Sequence, residues 1–209
     1  MKKGKFIVIE GGEGSGKTTM VKLVKELFPS IIISREPGGA PFAEKIRSVI
    51  LSVDAKHADA NTHFGLFWAS RADHVKNTVI PTLNKGKHLI TDRFDSSSYA
   101  YQIHGQENKH LKELFFNVRN VYLNKTVPHI YIFLDVDPKT GLQRRSKEKG
   151  YDININHFDQ RDINFHKRIR KGYLEFFKHV PHKIVDANRP LEEVKSDFLT
   201  VIKKVLKIK

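Results

Sequence analysis

Cysteine is absent from this 209-residue chain. That excludes a disulfide framework, a thiolate nucleophile and any thiolate metal site, and it fits a reducing compartment. Long apolar runs are missing too: nothing approaches the roughly 18 consecutive residues that a membrane-spanning helix needs. Met1-Lys2-Lys3-Gly4-Lys5 is basic, but only Phe6 to Ile9 intervene before Glu10, too few for the apolar region of a secretory signal. The expectation is therefore a cytoplasmic protein with no membrane partner. Acidic side chains are scarce as well, 23 Asp and Glu against 37 Lys and Arg, a formal charge of +14. Such a field attracts nucleic acid, acidic lipid and small phosphates alike, and a lysine-rich solvated surface produces the same total, so charge alone selects no partner.

No internal repeat, low-complexity tract or linker divides the chain, which reads as one domain over residues 1–209. Short β-branched or aliphatic runs recur at Phe6 to Ile9, Ile31 to Ser34, His88 to Thr91, Ile130 to Leu134 and Lys183 to Val185, separated by longer stretches with helical spacing. Apolar strands alternating with helices predict an α/β fold with a five-stranded parallel sheet covered on both faces. Val21, Leu23, Val24 and Leu27 form the expected buried stripe of the first helix. Phe64, Phe67, Trp68, Arg71 and Val75 form that of another, and Leu191 to Leu206 reads as a closing helix. Ser146 to Asn156 is charged and without pattern, which predicts a mobile loop.

Gly11-Gly12-Glu13-Gly14-Ser15-Gly16-Lys17-Thr18 fits G-x-x-x-x-G-K-[ST] throughout, and it lies between an apolar strand and a helix, as that motif requires. Its glycines let successive backbone N–H groups turn inward on phosphate oxygens, and the helix N-terminus adds partial positive charge. In such a loop Lys17 reaches the β- and γ-phosphates and Thr18 offers a hydroxyl to Mg²⁺. His88-Leu89-Ile90-Thr91-Asp92-Arg93 ends a strand in an acid and a base, at the edge where parallel sheets collect ligands. Asp92 is placed to hold Mg²⁺ and Arg93 to hold a phosphate; a surface ion pair is the competing reading. Arg35, Arg47 and Arg93 have the forked geometry to share one phosphate, although each taken singly reads as ordinary surface. Arg71 on an apolar helix face must pair with an acid, stack on an aromatic ring or reach a ligand. A base stacked on Phe67 with Arg71 at its carbonyl edge satisfies that demand; an arginine snorkelling from a wide apolar face is the competing reading, and the one that the residues alone favour. Asp95-Ser96-Ser97-Ser98-Tyr99-Ala100-Tyr101-Gln102 offers hydroxyls and an amide for a base and sugar, or simply a polar turn entering a helix.

Gly-Gly-Glu-Gly-Ser-Gly-Lys-Thr-Thr, Ser-Arg-Glu-Pro-Gly-Gly, Leu-Phe-Trp-Ala-Ser-Arg, Asp-Arg-Phe-Asp-Ser-Ser-Ser-Tyr-Ala-Tyr-Gln and Leu-Asp-Val follow one another here in the order and spacing of bacterial thymidylate kinases, so that from about Phe6 to Leu206 the chain resembles that family. The resemblance implies a P-loop kinase fold, transfer of the ATP γ-phosphoryl to dTMP with Mg²⁺, and a homodimer. It implies donor-side roles for Gly11 to Thr19 and for Arg144, against adenine, and a place for Glu13 near metal and acceptor phosphate. Arg35, Arg47 and Arg93 match the arginines on the acceptor phosphate, with Glu36 and Pro37 beside them. Phe67 matches the ring stacked on thymine, Arg71 the donor to its O4, and Ser97, Ser98 and Gln102 groups around the base. Tyr101 matches the residue crowding the ribose 2′ position. The segment at about 144–161 resembles the lid, which should supply a catalytic cation because the P-loop has no arginine. Arg145, Lys147 and Lys149 are its candidates, Arg145 first, while His157 stands where relatives carry arginine and Arg161 where an acid is expected. Two rival readings share these motifs: a P-loop kinase for another nucleoside monophosphate or a deoxynucleoside, and a non-enzymatic nucleic-acid-binding P-loop protein. Neither a helix-turn-helix, zinc spacing nor an RNA-recognition motif supports the latter.

Overall fold

A computed structural model describes residues 3–147 and 161–208. Five strands, β1 (Phe6–Gly11), β2 (Ile32–Arg35), β3 (Leu89–Asp92), β4 (Ile130–Asp135) and β5 (His182–Asp186), form one sheet in the order β2-β3-β1-β4-β5. Every pairing is parallel, and the register sets Ile9 beside Asp92 and Asp92 beside Arg35. The C-terminal ends of β1, β2 and β3 thus share one edge. Around the sheet lie α1 (Lys17–Leu27), α2 (Pro41–Ile50), α3 (Ala60–His74), α4 (Ile80–Asn84), α5 (Asp95–Ser98), α6 (Leu111–Leu123), α7 (Pro138–Ser146), α8 (Ile163–Phe176) and α9 (Leu191–Leu206). The α/β expectation and its five parallel strands are met.

Alternation along β1 separates two cores. Phe6 and Val8 enter an aromatic-rich core with Trp68, Phe115, Tyr131 and Phe176. Ile7 and Ile9 enter an aliphatic one with Met20, Val24, Phe198 and Ile202. Burial on both faces is why β1 carries an unbroken apolar run. In α1 the buried pair is Met20 and Val24, while Leu27 is 52% exposed, so the expected stripe is rotated and ends a turn early. The α3 stripe of Phe64, Trp68 and Arg71 is buried with Val75 beyond it, and Phe67 is partly exposed. Helix starts follow local chemistry: Asp59, Asp137 and Asp162 each accept a first-turn amide.

Two wide helical turns have no sequence pattern of their own. Val75–Val79 winds as a π-helix into α4, where Pro81 brings no N–H to the ladder. Tyr99–Gly105 winds the same way after α5, and it carries Tyr101 and Gln102. No helix among the described residues is long and apolar enough to cross a membrane.

Candidate active site

The phosphate loop closes between β1 and α1. Gly14 and Gly16 take φ of 63° and 87°, values a side chain would strain. Ser15 Oγ donates to the Gly12 carbonyl at 2.8 Å and tightens the turn. No side chain caps the N-terminus of α1, and no acid lies in its first turn, which leaves its amides open to an anion. Lys17 Nζ donates to the carbonyls of Gly11 at 2.7 Å and Gly12 at 3.0 Å. Burial, and then the nearby Arg93 charge, push its pKa down. Thr18 is exposed and Thr19 partly so in the turn that follows.

Arg93, just past β3, has φ 66°, a left-handed conformation costing about 1–3 kcal/mol in a non-glycine residue, and its N–H donates to Ile9 O at 2.9 Å. This aims the side chain across the crevice. Its guanidinium donates to Glu13 Oε1 at 3.1 Å and to Tyr173 OH at 3.0 Å, and lies 5.2 Å from the Tyr101 ring centroid. Burial works against its charge, but Tyr101, Tyr173, Glu13 and Glu10 outweigh it and raise the pKa. Glu13 is also opposed by burial, yet Lys17, Arg93 and Arg145 hold it below its usual value. Asp92 Oδ1 is buried with no hydrogen-bond partner among the described residues.

Beyond Arg93 opens a cavity of about 170 Å³. Arg35, Glu36, Arg47 and Arg93 form part of its wall, and Phe67, Tyr101 and Gln102 another part. Pro37, Leu51, Asp92 and Ser97 complete it. Arg35 is tethered to Glu44 at 2.9 Å, and Arg47 donates to Pro37 O at 2.7 Å. Burial and the adjacent Arg35 charge lower the pKa of Arg47, against the opposing pull of Glu44 and Asp92. The peptide bond between Glu36 and Pro37 is cis. Gln102 is fully buried, and neither its amide oxygen nor its amide nitrogen has a partner among the described residues.

Arg71 and Ser98 stand behind this wall rather than in it. Arg71 is 1% exposed and donates from Nε to Glu36 at 2.8 Å, from Nη1 to Ser98 Oγ at 3.1 Å and from Nη2 to Phe94 O at 3.0 Å. Its guanidinium lies 4.5 Å from the Trp68 ring centroid. Two of the alternatives open for Arg71, an acid and an aromatic ring, are thus realised together. Three of its five donors are spent on the protein, and two remain.

Arg144 donates to the carbonyls of Ala187 at 2.6 Å and Asn188 at 3.1 Å, at the rim of a second opening that Gly14, Gly16 and Pro190 also line. Arg145 Nε lies 3.8 Å from Glu13, and Lys147 sits just past α7. Lys149 and His157, with most of the 144–161 segment, lie outside the described residues. Arg161, at the far end, lies with its guanidinium 4.8 Å from the Phe165 ring centroid.

Several participants escaped sequence reasoning. Glu10, fully buried, accepts from Phe94 N, Ser96, Ser97 and Tyr173, and burial raises its pKa. An acid at the end of an apolar strand was the signal. Tyr173, 80 residues from Arg93, gave none. Asp135 receives a two-point bond from Arg170, which joins β4 to α8 beside the phosphate loop. Gly14 and Gly141 let that loop and α7 meet backbone to backbone.

A family model described as thymidylate kinase matches residues 9–198. The chain is 38% identical over 200 residues to a thymidylate kinase of Clostridium novyi (strain NT), covering 93% of this chain and 96% of that protein. To a thymidylate kinase of Onion yellows phytoplasma (strain OY-M) it is 37% identical over 213 residues, with 97% and 99% covered. To one of Shouchella clausii (strain KSM-K16) it is 35% identical over 212 residues, with 99% and 98% covered.

Proposed function

The chain belongs to the thymidylate kinase family, and we propose that it transfers the γ-phosphoryl group of ATP to dTMP, giving ADP and dTDP. The observation that carries this reading is the pairing of two anion-binding sites across the C-terminal edge of the sheet. The uncapped N-terminus of α1 lies on one side and the arginine-walled cavity on the other, with Arg93 between them touching Glu13. The donor phosphates lie along Gly11 to Thr19, with Lys17 leaving the loop carbonyls for the β- and γ-oxygens, and Arg144 lies against adenine. Arg35, Arg47 and Arg93 grip the acceptor phosphate, with Glu36 and Pro37 framing it, Tyr101 against the ribose 2′ position and Ser97 near the base. Phe67 stacks on the thymine ring. The unpartnered amide of Gln102 presents one acceptor and one donor to the N3–H and carbonyl edge, supported by the two remaining Arg71 donors and by Ser98.

A monophosphate loses its second proton at a pKa of about 6, so the attacking oxygen is already ionised and needs no general base. The protein's task is alignment and charge neutralisation. Lys17 and Arg93 offset the opposed phosphates, and Glu13 holds Arg93 in line. Arg145 from the lid is our choice for the cation on the transferring group, ahead of Lys147 and Lys149. Asp92 and Thr18 fit Mg²⁺: both offer hard oxygen, and Asp92 Oδ1 is buried without a partner among the described residues. Bound there, Mg²⁺ would neutralise phosphate charge. We further propose a homodimer in the cytoplasm that takes no nucleic acid, part of the +14 charge being spent on this crevice.

The test is a panel of acceptors with ATP and Mg²⁺. Phosphorylation of dTMP well above other nucleoside monophosphates and deoxynucleosides supports the reading. Preference for deoxycytidine, or salt-sensitive duplex binding without transfer, overturns it.

A further inference from the structure

Behind the cavity wall runs a chain of hydrogen bonds that the reading above leaves unused. Ser34 Oγ, in β2, lies 2.7 Å from His74 Nε2, and His74 Nδ1 lies 2.8 Å from Glu36 Oε1. The other carboxylate oxygen, Oε2, accepts Arg71 Nε at 2.8 Å. The side chains of His74, Glu36 and Arg71 are 0%, 3% and 1% exposed. Arg71 and His74 stand three residues apart on one face of α3, so a single carboxylate reaches both. The roles within this chain follow from its members. The guanidinium only donates, so Glu36 serves it as the acceptor anion and takes its second bond from His74, which places the ring proton on Nδ1. Nε2 is then left for the Ser34 hydroxyl.

The consequence lies at the inner end. Glu36 is part of the cavity wall, and Arg71 is anchored at Glu36, Ser98 and Phe94. A carboxylate gripped by one oxygen turns about its terminal bond, whereas one gripped by both does not. Without the His74 bond, the Glu36 anchor of the guanidinium plane is loose and the two remaining Arg71 donors lose their direction. The loop also closes on the imidazole. Gly39, at φ 81°, passes so near that an added Cβ would lie 2.7 Å from His74 Cδ2.

We propose that His74 is a positioning residue for acceptor recognition, acting through Glu36 to fix the Arg71 guanidinium behind the base. The proposal rests on the cavity being the dTMP site. It is tested with dTMP as the varied substrate in the full-length enzyme. His74→Leu removes the donor and should raise KM for dTMP about tenfold, with KM for ATP within about twofold and kcat little changed. His74→Asn returns an N–H near the Nδ1 position and should restore most of the affinity. His74→Gln, with its amide out at the Nε2 position, should not. If His74→Leu does not fold, the Asn and Gln variants decide: equal KM values for dTMP, or Gln closer to wild type than Asn, overturn the proposal. So does a folded Leu variant with unchanged KM for dTMP. Phe67→Ala separates this from failure of the site itself. If that variant raises KM for dTMP while the His74 series is flat, only the relay is wrong. If it too is without effect, the cavity is not the acceptor site.

Discussion

Replacing Gly141 by alanine opposes two forces of known size. In the interior of α7, alanine is favoured over glycine by about 1 kcal/mol. A methyl at that position, however, would lie 2.2 Å from the Glu13 carbonyl oxygen and 3.2 Å from Val136 Cγ1, where ordinary contact begins at 3.4 Å. The obstacle is backbone, so either the phosphate loop or α7 must retreat by about 1.2 Å, the difference between contact and overlap. Overpacking of this kind costs about 2–3 kcal/mol, which leaves a net loss of about 1–2 kcal/mol. For a chain of this length that lowers Tm by about 2–8 °C. The functional loss is larger, because Glu13 also holds Arg93 at 3.1 Å. A displacement near 1 Å between reacting groups costs about a hundredfold in kcat. Calorimetry and a coupled assay of ADP release measure both. A raised Tm with kcat within twofold of wild type would mean that helix propensity wins and that the loop is not braced by α7.

Arg71→Ala should cost about 3–5 kcal/mol of stability by leaving the buried Glu36 carboxylate with His74 alone and no cation, so that its dTMP kinetics must be read beside a melting curve; an unchanged Tm would contradict the buried pair. Gln102→Leu removes an amide with no protein partner and should leave the unliganded enzyme at least as stable, while KM for dTMP rises about tenfold or more; loss of stability without change in KM would show that the amide serves the fold. Hydrogen bonds from Lys112 and Tyr99 hold the pKa of Glu175 down to about 2, against 4.5 for a free carboxyl. A depressed folded pKa contributes stability that is complete above about pH 4.5 and is lost as the pH falls towards 2. Allowing for its partial exposure, wild type should exceed Glu175→Gln by about 1–2 kcal/mol at pH 7, with the gap closing in acid; a gap that widened would reverse the assignment.

The phosphate loop was legible because its chemistry is local. A phosphate loop needs glycine at fixed offsets, a strand before it and a helix after it, and all of these are consecutive from Phe6 to Leu27. The closing helix was equally plain, since α9 packs one stripe on the sheet and its bounds fall at Leu191 and Leu206. The arginine-walled cavity depends on distance. That Arg71 needs a partner was readable from its apolar face, but the partner, Glu36, lies 35 residues away, and nothing in the chain announces the pairing. Glu10 gathers Ser96 and Ser97 from α5 and Tyr173 from α8 for the same reason. The π turn that brings Tyr101 and Gln102 to the cavity packs against α8, a tertiary effect with no periodic signature.

A crystal structure with dTMP and a non-hydrolysable ATP analogue measures the two facing anion sites directly. The account predicts the analogue's phosphates against the amides of Gly14 to Thr18, and the dTMP phosphate within hydrogen-bonding distance of Arg93 and of Arg35 or Arg47, its base over Phe67. Thymidylate bound elsewhere, with Arg93 still spent on Glu13 and Tyr173 and no phosphate beside it, would contradict it.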